Sequence, residues 1–318
     1  MLRETLIFLS ENSLARRTAT HAPGARTLAR RFVAGETIED GIRAARSLNE
    51  AGATVSLDYL GESVSRREAA IAAADTYIRL ITRIAEEKLD ANVSLKLTQM
   101  GQDIDTEFLR QNVGRVLERA READMFVRLD MESSRHTQPT LDFFRSLWDA
   151  GHRNIGIVLQ AYMRRSDGDV EMANAMKARV RLCKGAYKEP ETVAWQEKPK
   201  VDSNFVALMK KLLTSGTYPG IATHDEQMIR ATTAFVKKES IPLSSFEFQM
   251  LYGVRRDVQQ QLRAQGYNLR VYVPFGEAWY PYLMRRMAER PANLFFIVNA
   301  VLAESPLAFL VRKNDSKR

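Results

Sequence analysis

The spacing of hydrophobic residues changes repeatedly along this 318-residue chain from residue 53 onward. Short runs rich in β-branched and aliphatic residues alternate with longer segments in which apolar residues recur every three or four positions, as on one face of a helix. This alternation predicts strands separated by roughly 20–40 residues, the spacing that parallel βα units require. The predicted strands are Thr54–Tyr59, Asn92–Leu97, Phe126–Met131, Ile155–Gln160, Val180–Lys184, Gly220–Thr223, Phe246–Gln249 and Leu269–Val273.

Eight βα units within about 250 residues favour a closed (β/α)₈ barrel. The alternative is an open doubly wound sheet. The glycine-rich motifs that bind nucleotides on such a sheet, G-x-G-x-x-G and G-x-x-x-x-G-K, do not occur in the sequence. The sequence therefore predicts an α/β protein of the TIM-like barrel class.

The segments outside the barrel are predicted from caps and charge. Residues 1–52 form an N-terminal helical segment, in which Thr37 caps a helix that runs to Asn49 and Gly52 follows its end. Residues 53–311 form the barrel, and the charged tail 312–318 is expected to fray. No linker or low-complexity segment divides the chain, so we expect a single domain.

Composition narrows the class of protein further. The chain is 45% hydrophobic and 27% charged, as expected of a globular protein with a substantial core. One cysteine, Cys183, excludes a disulfide framework and is typical of a reducing compartment. No apolar run approaches the roughly 18 residues that cross a bilayer, and the apolar segment 6–9 is too short for a signal peptide. These features predict a cytoplasmic protein.

The net charge of +8 indicates an anionic partner, but not a nucleic acid. Basic residues alternate with acidic ones, as in the segment 115–122, which is typical of solvated helix faces. A basic stripe with interleaved aromatic residues is absent, so we expect no nucleic-acid partner. The four histidines are scattered without the spacing of metal ligands, and we expect no metal site.

Polar residues mark the predicted carboxyl ends of the strands, where the chemistry of such barrels takes place. Buried lysine and aspartate are costly unless paired, so these residues indicate either a site or a structural ion pair at the barrel mouth. Lys96 and Asp130 occupy equivalent points on neighbouring strands and are predicted to pair, and Arg181 lies earlier in its strand. The polar residues at or just beyond the ends are Asp58, Glu62, Lys96, Asp130, Gln160, Lys184, His224 and Tyr272.

The last β-like run is followed by a predicted helix with two adjacent arginines. The run from Arg270 to Phe275 is expected to break at Pro274 and Gly276, and the helix is expected to begin near Pro281. Three- and four-residue spacing puts Tyr282, Arg285 and Glu289 on one helix face, and Arg286 is turned by about 100°. Two guanidiniums so placed can bind a small carboxylate, although a solvated basic face is an equal alternative.

Taken together and in order, six motifs resemble the proline dehydrogenase (proline oxidase) family of the short, single-function bacterial type. The resemblance covers nearly the whole chain from about residue 40. The motifs are Ser94-Leu-Lys96-Leu-Thr, Val127-Arg-Leu-Asp130-Met-Glu, Val158-Leu-Gln160-Ala-Tyr, Arg179-Val-Arg181-Leu-Cys-Lys184-Gly-Ala-Tyr-Lys-Glu, Ala222-Thr-His224-Asp and Tyr282-Leu-Met-Arg285-Arg286-Met-Ala-Glu289. The resemblance implies a distorted barrel with a final helix over its mouth, and FAD bound without a Rossmann fold.

The resemblance also implies roles for individual residues. Lys96, Asp130 and Arg181 are the catalytic group, with Asp130 orienting Lys96 and Arg181 beside the flavin N5. The carboxylate of L-proline is held by Arg285, Arg286 and Lys96, while Tyr272 and Tyr282 wall the ring, and Glu62 pairs with Arg285 as a gate. The flavin and its phosphates are lined by Met131, Gln160, Arg181, Lys184, Gly185, Ala186, Thr223 and His224.

The implied reaction is hydride transfer from L-proline to flavin, giving Δ1-pyrroline-5-carboxylate, with electrons passed to a membrane quinone. The implied partners are therefore a quinone, the inner face of a membrane bound peripherally, and pyrroline-5-carboxylate dehydrogenase. Two alternatives remain open on the residues alone. One is a barrel lyase that forms a Schiff base on Lys96 or Lys184. The other is a basic nucleic-acid-binding module.

Overall fold

The computed structural model describes residues 29–289, with side chains described through residue 284. Eight parallel strands pair in chain order, and β1 pairs with both β2 and β8, which closes the barrel. The strands are β1 (Thr54–Tyr59), β2 (Ala91–Lys96), β3 (Val127–Asp130), β4 (Ile155–Gln160), β5 (Arg179–Cys183), β6 (Gly220–Ala222), β7 (Glu247–Leu251) and β8 (Leu269–Phe275). The predicted fold class is confirmed.

Helices connect the strands and surround the barrel. Within the described residues they are α1 (Ile38–Glu50), α2 (Arg67–Glu86), α3 (Thr106–Glu122), α4 (Ser134–Asp149), α5 (Ser166–Ala175), α6 (Lys198–Ser215), α7 (Glu226–Lys238), α8 (Arg256–Ala264) and α9 (Trp279–Glu289). A short 3₁₀ turn, Leu243–Ser245, precedes β7. The predictions for residues 1–28 and for the tail 312–318 lie outside the described residues, as do the side chains of Arg285, Arg286 and Glu289.

The predicted break of the last strand at Pro274 is wrong. Strand β8 continues to Phe275, with Pro274 opposite Asp58 of β1. Proline removes only one amide donor, and Pro274 is the second-last residue of its strand, where the ladder is ending anyway. Helix α9 also begins two residues before Pro281, because proline is tolerated in the first turn of a helix.

The strands alternate between apolar residues that face the helices and polar residues that face the barrel interior. In β1, Val55 and Leu57 belong to the main hydrophobic core, whereas Ser56 and Asp58 contact side chains of the neighbouring β2 inside the barrel. A parallel sheet covered on both faces usually has near-continuous apolar strands. Here the core therefore lies between strands and helices, and the barrel interior is a hydrogen-bonded polar network.

The helix before the barrel begins as the sequence predicts. Thr37 accepts the amide of Asp40, and the Asp40 carboxylate accepts the amide of Thr37 at 3.0 Å, which completes a capping box. The chain leaves the helix through Gly52, whose φ is +77°. Contacts of α1 with β1 and β8 then cover the seam at which the barrel closes.

The last described helix starts at the carboxyl end of the barrel. Gly276, with φ +125°, turns the chain after β8, and a Cβ there would contact the Tyr59 ring at 3.1 Å. Tyr282 and Leu283 then pack in an apolar cluster with Leu60, the residue that follows β1. Helix α9 is thus anchored beside the mouth. Among the residues described, no helix is both long enough and apolar enough to cross a bilayer.

The floor of the barrel is closed at Gly156, which gives a test of its packing. A Cβ on Gly156 would lie 2.4 Å from the Arg179 carbonyl oxygen and 2.6 Å from the Phe126 ring. We expect Gly156→Ala to lower the free energy of unfolding by about 3 kcal/mol, because backbone cannot move aside cheaply. Gly114→Ala in α3 is the matched control, since nothing lies within 4 Å of its Cβ. Equal urea midpoints for the two variants would contradict this packing.

Candidate active site

Arg181 of β5 lies at the centre of the polar interior. Its guanidinium donates to Asp130 of β3 at 2.7 Å and to Gln249 of β7. It also donates to the hydroxyls of Ser56 and Ser94, at 3.3 and 3.1 Å. These partners come from four other strands, so the side chain must cross the barrel interior. Only 6% of Arg181 is exposed, and nearly every direction of its donor fork is used.

Asp130 joins Arg181 to Tyr272 of β8. One carboxylate oxygen accepts from Arg181, and the other accepts the Tyr272 hydroxyl at 2.8 Å. The Arg181 guanidinium also lies over the Tyr272 ring, 5.1 Å from its centroid. Burial, reinforced by the charges of Asp130 and Asp58, raises the pKa of Tyr272 well above its usual range. Tyr272 is therefore a neutral donor that presents its ring to the interior.

The predicted pairing of Lys96 with Asp130 is wrong, and with it the direct orientation of Lys96 by Asp130. The two residues are neighbours in the β2–β3 register, as expected. However, Lys96 Nζ lies 3.1 Å from both carboxylate oxygens of Asp58 on β1, its neighbour on the other side. Both oxygens of Asp130 are already used by Arg181 and Tyr272. Asp58 and Asp130 flank Lys96 equivalently in the strand pattern, and the two donors that occupy Asp130 leave Asp58 as the partner of Lys96.

Lys96 is held as a cation. Burial alone would lower the pKa of Lys96, but the charges of Asp58 and Asp130 outweigh burial and raise this pKa above its ordinary range. Glu62, in the loop after β1, adds to the effect, which places its charge within reach of Lys96. A Schiff-base nucleophile needs a lowered lysine pKa. Lys96 is thus suited to binding an anion and unsuited to the lyase alternative.

A second ionic cluster lies where β5 and β6 end. Lys184 donates to Asp202 of α6 and, at 2.7 Å, to Asp225. Asp225 also caps α7, whereas His224 Nε2 accepts the amide of Leu251 at 2.8 Å. Asp225, and not His224, therefore caps this helix. Thr223 is buried and accepts the Asp225 amide at 3.0 Å, so this stretch is held rigidly.

At the end of β5 the backbone of Gly185 passes close to the ring of Tyr162. Gly185 has φ +107°, and a Cβ there would lie 2.3 Å from the Tyr162 ring. A side chain at this position would be strained in conformation and would also collide with the ring. Lys184 and Gly185 line a cleft of ≈ 250 Å³ together with Tyr162 and Trp195. Ala186 follows at its exposed edge.

Two further predicted residues lie at the ends of the adjoining strands β3 and β4. Met131 is buried directly after β3, and Gln160 is buried at the end of β4. Within the part of the chain that the structure describes, Gln160 Oε1 has no hydrogen-bond partner. A buried amide oxygen without a donor is costly, which suggests that a ligand supplies one.

Three residues of this network escaped the sequence analysis as site residues. Asp58 was noted only as a polar strand end, and Glu247 and Gln249 of β7 were not singled out. Both β7 side chains are buried, and both are hydrogen-bonded to arginines: Glu247 to Arg270 of the neighbouring β8 and Gln249 to Arg181 of β5. The alternation Glu247-Phe-Gln249-Met was the available signal, because a charged and an amide residue two apart in a strand share one face.

Comparison with known proteins identifies the family. The proline dehydrogenase family model matches residues 41–299. The chain belongs to the proline dehydrogenase family. It is 41% identical to proline dehydrogenase 1 of Bacillus subtilis subsp. natto over 95% of this chain and 99% of that protein. It is 42% identical to the proline dehydrogenase of Deinococcus radiodurans over 86% of this chain and 90% of that protein.

A solved structure gives the same fold. The crystal structure of proline utilization A (PutA) from Bdellovibrio bacteriovorus, inactivated by N-propargylglycine, aligns with 98% of this chain at a TM-score of 0.80 and 25% identity. The chain spans only 39% of that longer protein. The short relatives match over almost their whole length, so the predicted short, single-function type is confirmed. The predicted enzyme class, a proline dehydrogenase, is confirmed with it, and family membership supports proline oxidation.

The Lys96–Asp58 pair can be tested by removing one charge. We expect Asp58→Asn to lower the free energy of unfolding by about 3 kcal/mol, because a buried ammonium loses its partner. Asp75→Asn is the control, since its ion pair with Arg115 is half exposed and should be worth under about 1 kcal/mol. Adding Lys96→Met to Asp58→Asn should recover much of the loss. Denaturant unfolding measures all four proteins, and equal losses for the two aspartates would contradict a buried pair.

The cluster at Asp225 predicts a pH dependence. Burial alone would raise the pKa of Asp225, but hydrogen bonds and charges from Lys184 and Lys198 lower it from 3.8 to about 2. A depressed pKa stabilises the fold above the unfolded value and loses that effect as pH falls through the folded value. Wild type should therefore exceed Asp225→Asn in stability above about pH 4, with the gap closing towards about pH 2. Asparagine keeps the helix cap, so a gap independent of pH would contradict the assignment.

Proposed function

We propose that this protein oxidises L-proline to Δ1-pyrroline-5-carboxylate with FAD as the hydride acceptor. The observation that carries the proposal is a pair of buried cations, Lys96 and Arg181, inside the barrel of a proline dehydrogenase family member. Each is held by an aspartate. Lys96 ends β2 at the carboxyl end of the barrel, where barrel enzymes bind their substrates, and Arg181, in the middle of β5, reaches Asp130 at the end of β3.

The residues at the mouth fit a flavin. The isoalloxazine ring carries an imide N–H, the kind of donor that the buried Gln160 Oε1 lacks among described residues. The ammonium of Lys184 and the open backbone at Gly185 suit a diphosphate, since phosphates favour cations and close main-chain approach. Met131, Ala186, Thr223 and His224 complete the proposed lining, because they follow β3, β5 and β6 at the same end of the barrel.

The net charge of the barrel interior would favour negative charge on the reduced cofactor. FAD, when bound, supplies an acceptor for the hydride of the substrate C–H bond and gains negative charge. Largely buried, inward-facing strand positions hold four cations against three carboxylates: Lys96, Arg128, Arg181 and Arg270 against Asp58, Asp130 and Glu247. Arg181, held in place by four strands, would stabilise that charge without reorganising during the reaction.

The substrate is proposed to bind between this interior and α9. Arg285 and Arg286 would hold the proline carboxylate with Lys96, whose ammonium has a third donor beyond its two contacts with Asp58. Tyr272 and Tyr282 would wall the ring. Asp130 acts differently from the prediction, since it positions Arg181 and Tyr272 directly. Glu62 would close the site against Arg285.

The proposal extends to the fate of the electrons and product. A membrane quinone would reoxidise the cofactor, and the net charge of +8 would favour peripheral docking on an anionic inner-membrane face. Pyrroline-5-carboxylate dehydrogenase would consume the product. The cytoplasmic location remains a prediction.

The visible spectrum of the purified protein tests the proposed function. We expect flavin absorption that is bleached anaerobically by L-proline and not by D-proline. Restoration by a soluble quinone analogue would support the acceptor class. A colourless protein that gains no absorption with added FAD, or a flavin spectrum unchanged by L-proline, would overturn the proposal.

Replacement of Arg181 tests its electrostatic role. We expect Arg181→Met to slow flavin reduction by about 100-fold, the usual effect of losing a preorganised donor. The dissociation constant for proline, fitted from the same stopped-flow traces, should change by less than about threefold. The reason is that Arg181 is proposed to act on the transition state and not on the binding of ground-state proline. Thermal unfolding of the variant controls for damage to the fold. Weaker proline binding with an unchanged rate of reduction would reject the role.

A further inference from the structure

A chain of hydrogen bonds connects the barrel floor to Arg181. Arg270 Nε donates to Glu247 Oε1 at 2.8 Å, and Gln249 Nε2 donates to the same oxygen at 2.6 Å. The other end of the Gln249 amide, Oε1, accepts from Arg181 Nε. Glu247 and Gln249 are only 2% and 3% exposed. Water therefore cannot replace a lost partner at low cost.

The chemistry of these groups makes the chain directional. A guanidinium only donates, and a carboxylate only accepts. An amide does both, but its two ends are nearly equal in shape and can exchange places by rotation. With Arg181 on one side, Gln249 must present oxygen there, and a carboxylate on the other side stabilises that orientation. A reversed amide would set NH₂ against the Arg181 donor and oxygen against the Glu247 carboxylate.

Glu247 is present in the ionised form that this role requires. Burial alone would raise the pKa of Glu247, but the charge and hydrogen bond of Arg270 lower it below its usual value. The hydrogen bond from Gln249 acts in the same direction. Glu247 is therefore ionised near neutral pH and acts as an acceptor.

We propose that Glu247 is a positioning residue, which fixes the Gln249 amide and thereby the direction of the Arg181 guanidinium towards Asp130. The proposal rests on the proposed function only for its kinetic consequence, since the positioning itself needs no cofactor. Glu247 reaches no substrate position in this network; it acts through Gln249.

Gly220 of β6 gives independent support. A Cβ on Gly220 would lie 2.4 Å from Gln249 Nε2 and 2.8 Å from its side-chain carbonyl carbon. Its φ lies outside the left-handed region, so the backbone does not require glycine there. The absent side chain instead leaves space for the Gln249 amide to lie across β6. Gly220→Ala thus displaces the amide without changing any polar group.

The test measures Arg181 directly, in the full-length protein as purified. In ¹⁵N-arginine-labelled protein, the Arg181 Nε–H should exchange slowly with solvent, and its signal is assigned by its loss in Arg181→Lys. We expect exchange to be about tenfold faster or more in Gly220→Ala and in Glu247→Leu/Arg270→Leu, because one net hydrogen bond is lost. The double variant removes a charge pair together and leaves no unpaired ion.

Glu247→Gln tests whether the acceptor oxygen of Glu247 or its negative charge is needed to protect Arg181. Both donors to Glu247 end on one oxygen, which an amide oxygen can replace, so Glu247→Gln should keep Arg181 protected within about twofold of wild type. Gly114→Ala, in an uncrowded helix position, is the control for glycine replacement. Exchange in Glu247→Gln as fast as in the double variant would overturn the proposal, as would wild-type protection in the double variant.

The kinetic consequence separates positioning from general stability. In the flavin-loaded enzyme the double variant should lower kcat about tenfold with KM for proline changed less than about twofold, since the loss is felt in the transition state. If the double variant fails to fold, Glu247→Asp replaces it, because the shorter carboxylate withdraws the acceptor and should accelerate exchange similarly. Protected Arg181 in that variant would overturn the proposal. A protein without flavin chemistry that showed the expected exchange pattern would refute the proposed function alone.

Discussion

The ion pair between Arg181 and Asp130 is the interaction on which the rest of the interior depends. A buried guanidinium must satisfy donors that point in several fixed directions, and each unmet donor costs about 1–3 kcal/mol. Arg181 meets this demand only because strands from opposite sides of the barrel each provide an acceptor. Arg181 can be satisfied in this position only in a closed sheet, and the acceptors on the closed sheet then hold its guanidinium in place. Stability and electrostatic preorganisation have the same structural source here.

The interior carries an excess of positive charge, which is an unusual way to fill a barrel. Arg128 shows the strain most clearly: burial, together with nearby Arg181 and Arg270, lowers the pKa of Arg128 well below its usual range. Its guanidinium is held by the carbonyl oxygens of Ile157 and Arg179, at 3.0 and 2.6 Å, so main-chain dipoles replace a counter-ion. An anion that binds above this interior stabilises it. Negative charge that develops in a reaction there interacts strongly with the buried cations, because little water is present to screen them.

The fold was more predictable from the sequence than the contacts of the site. Periodicity located all eight strands, and a local signal identified the Thr37 cap, because both depend on residues close in the chain. The partner of Lys96 was not predictable. Asp58 and Asp130 flank it on adjacent strands, and the choice depends on Arg181, which lies 51 residues beyond Asp130 in the chain. Contacts across a barrel join residues with no local relation, and a single sequence carries no signal for them.

The two parts of the proposed site differ in how they are held. The interior cations are fixed by strands: Lys96 contacts Asp58 of the neighbouring β1, and Arg181 of β5 reaches Asp130 of β3. Helix α9 is attached through the turn at Gly276, a hydrogen bond from Trp279 to Glu36 and an apolar cluster that joins Tyr282 to Leu60. Apolar contacts are non-directional and allow sliding that a hydrogen-bonded network does not. In the proposed function, substrate capture and charge stabilisation would therefore fall to elements that are held by these two different kinds of contact.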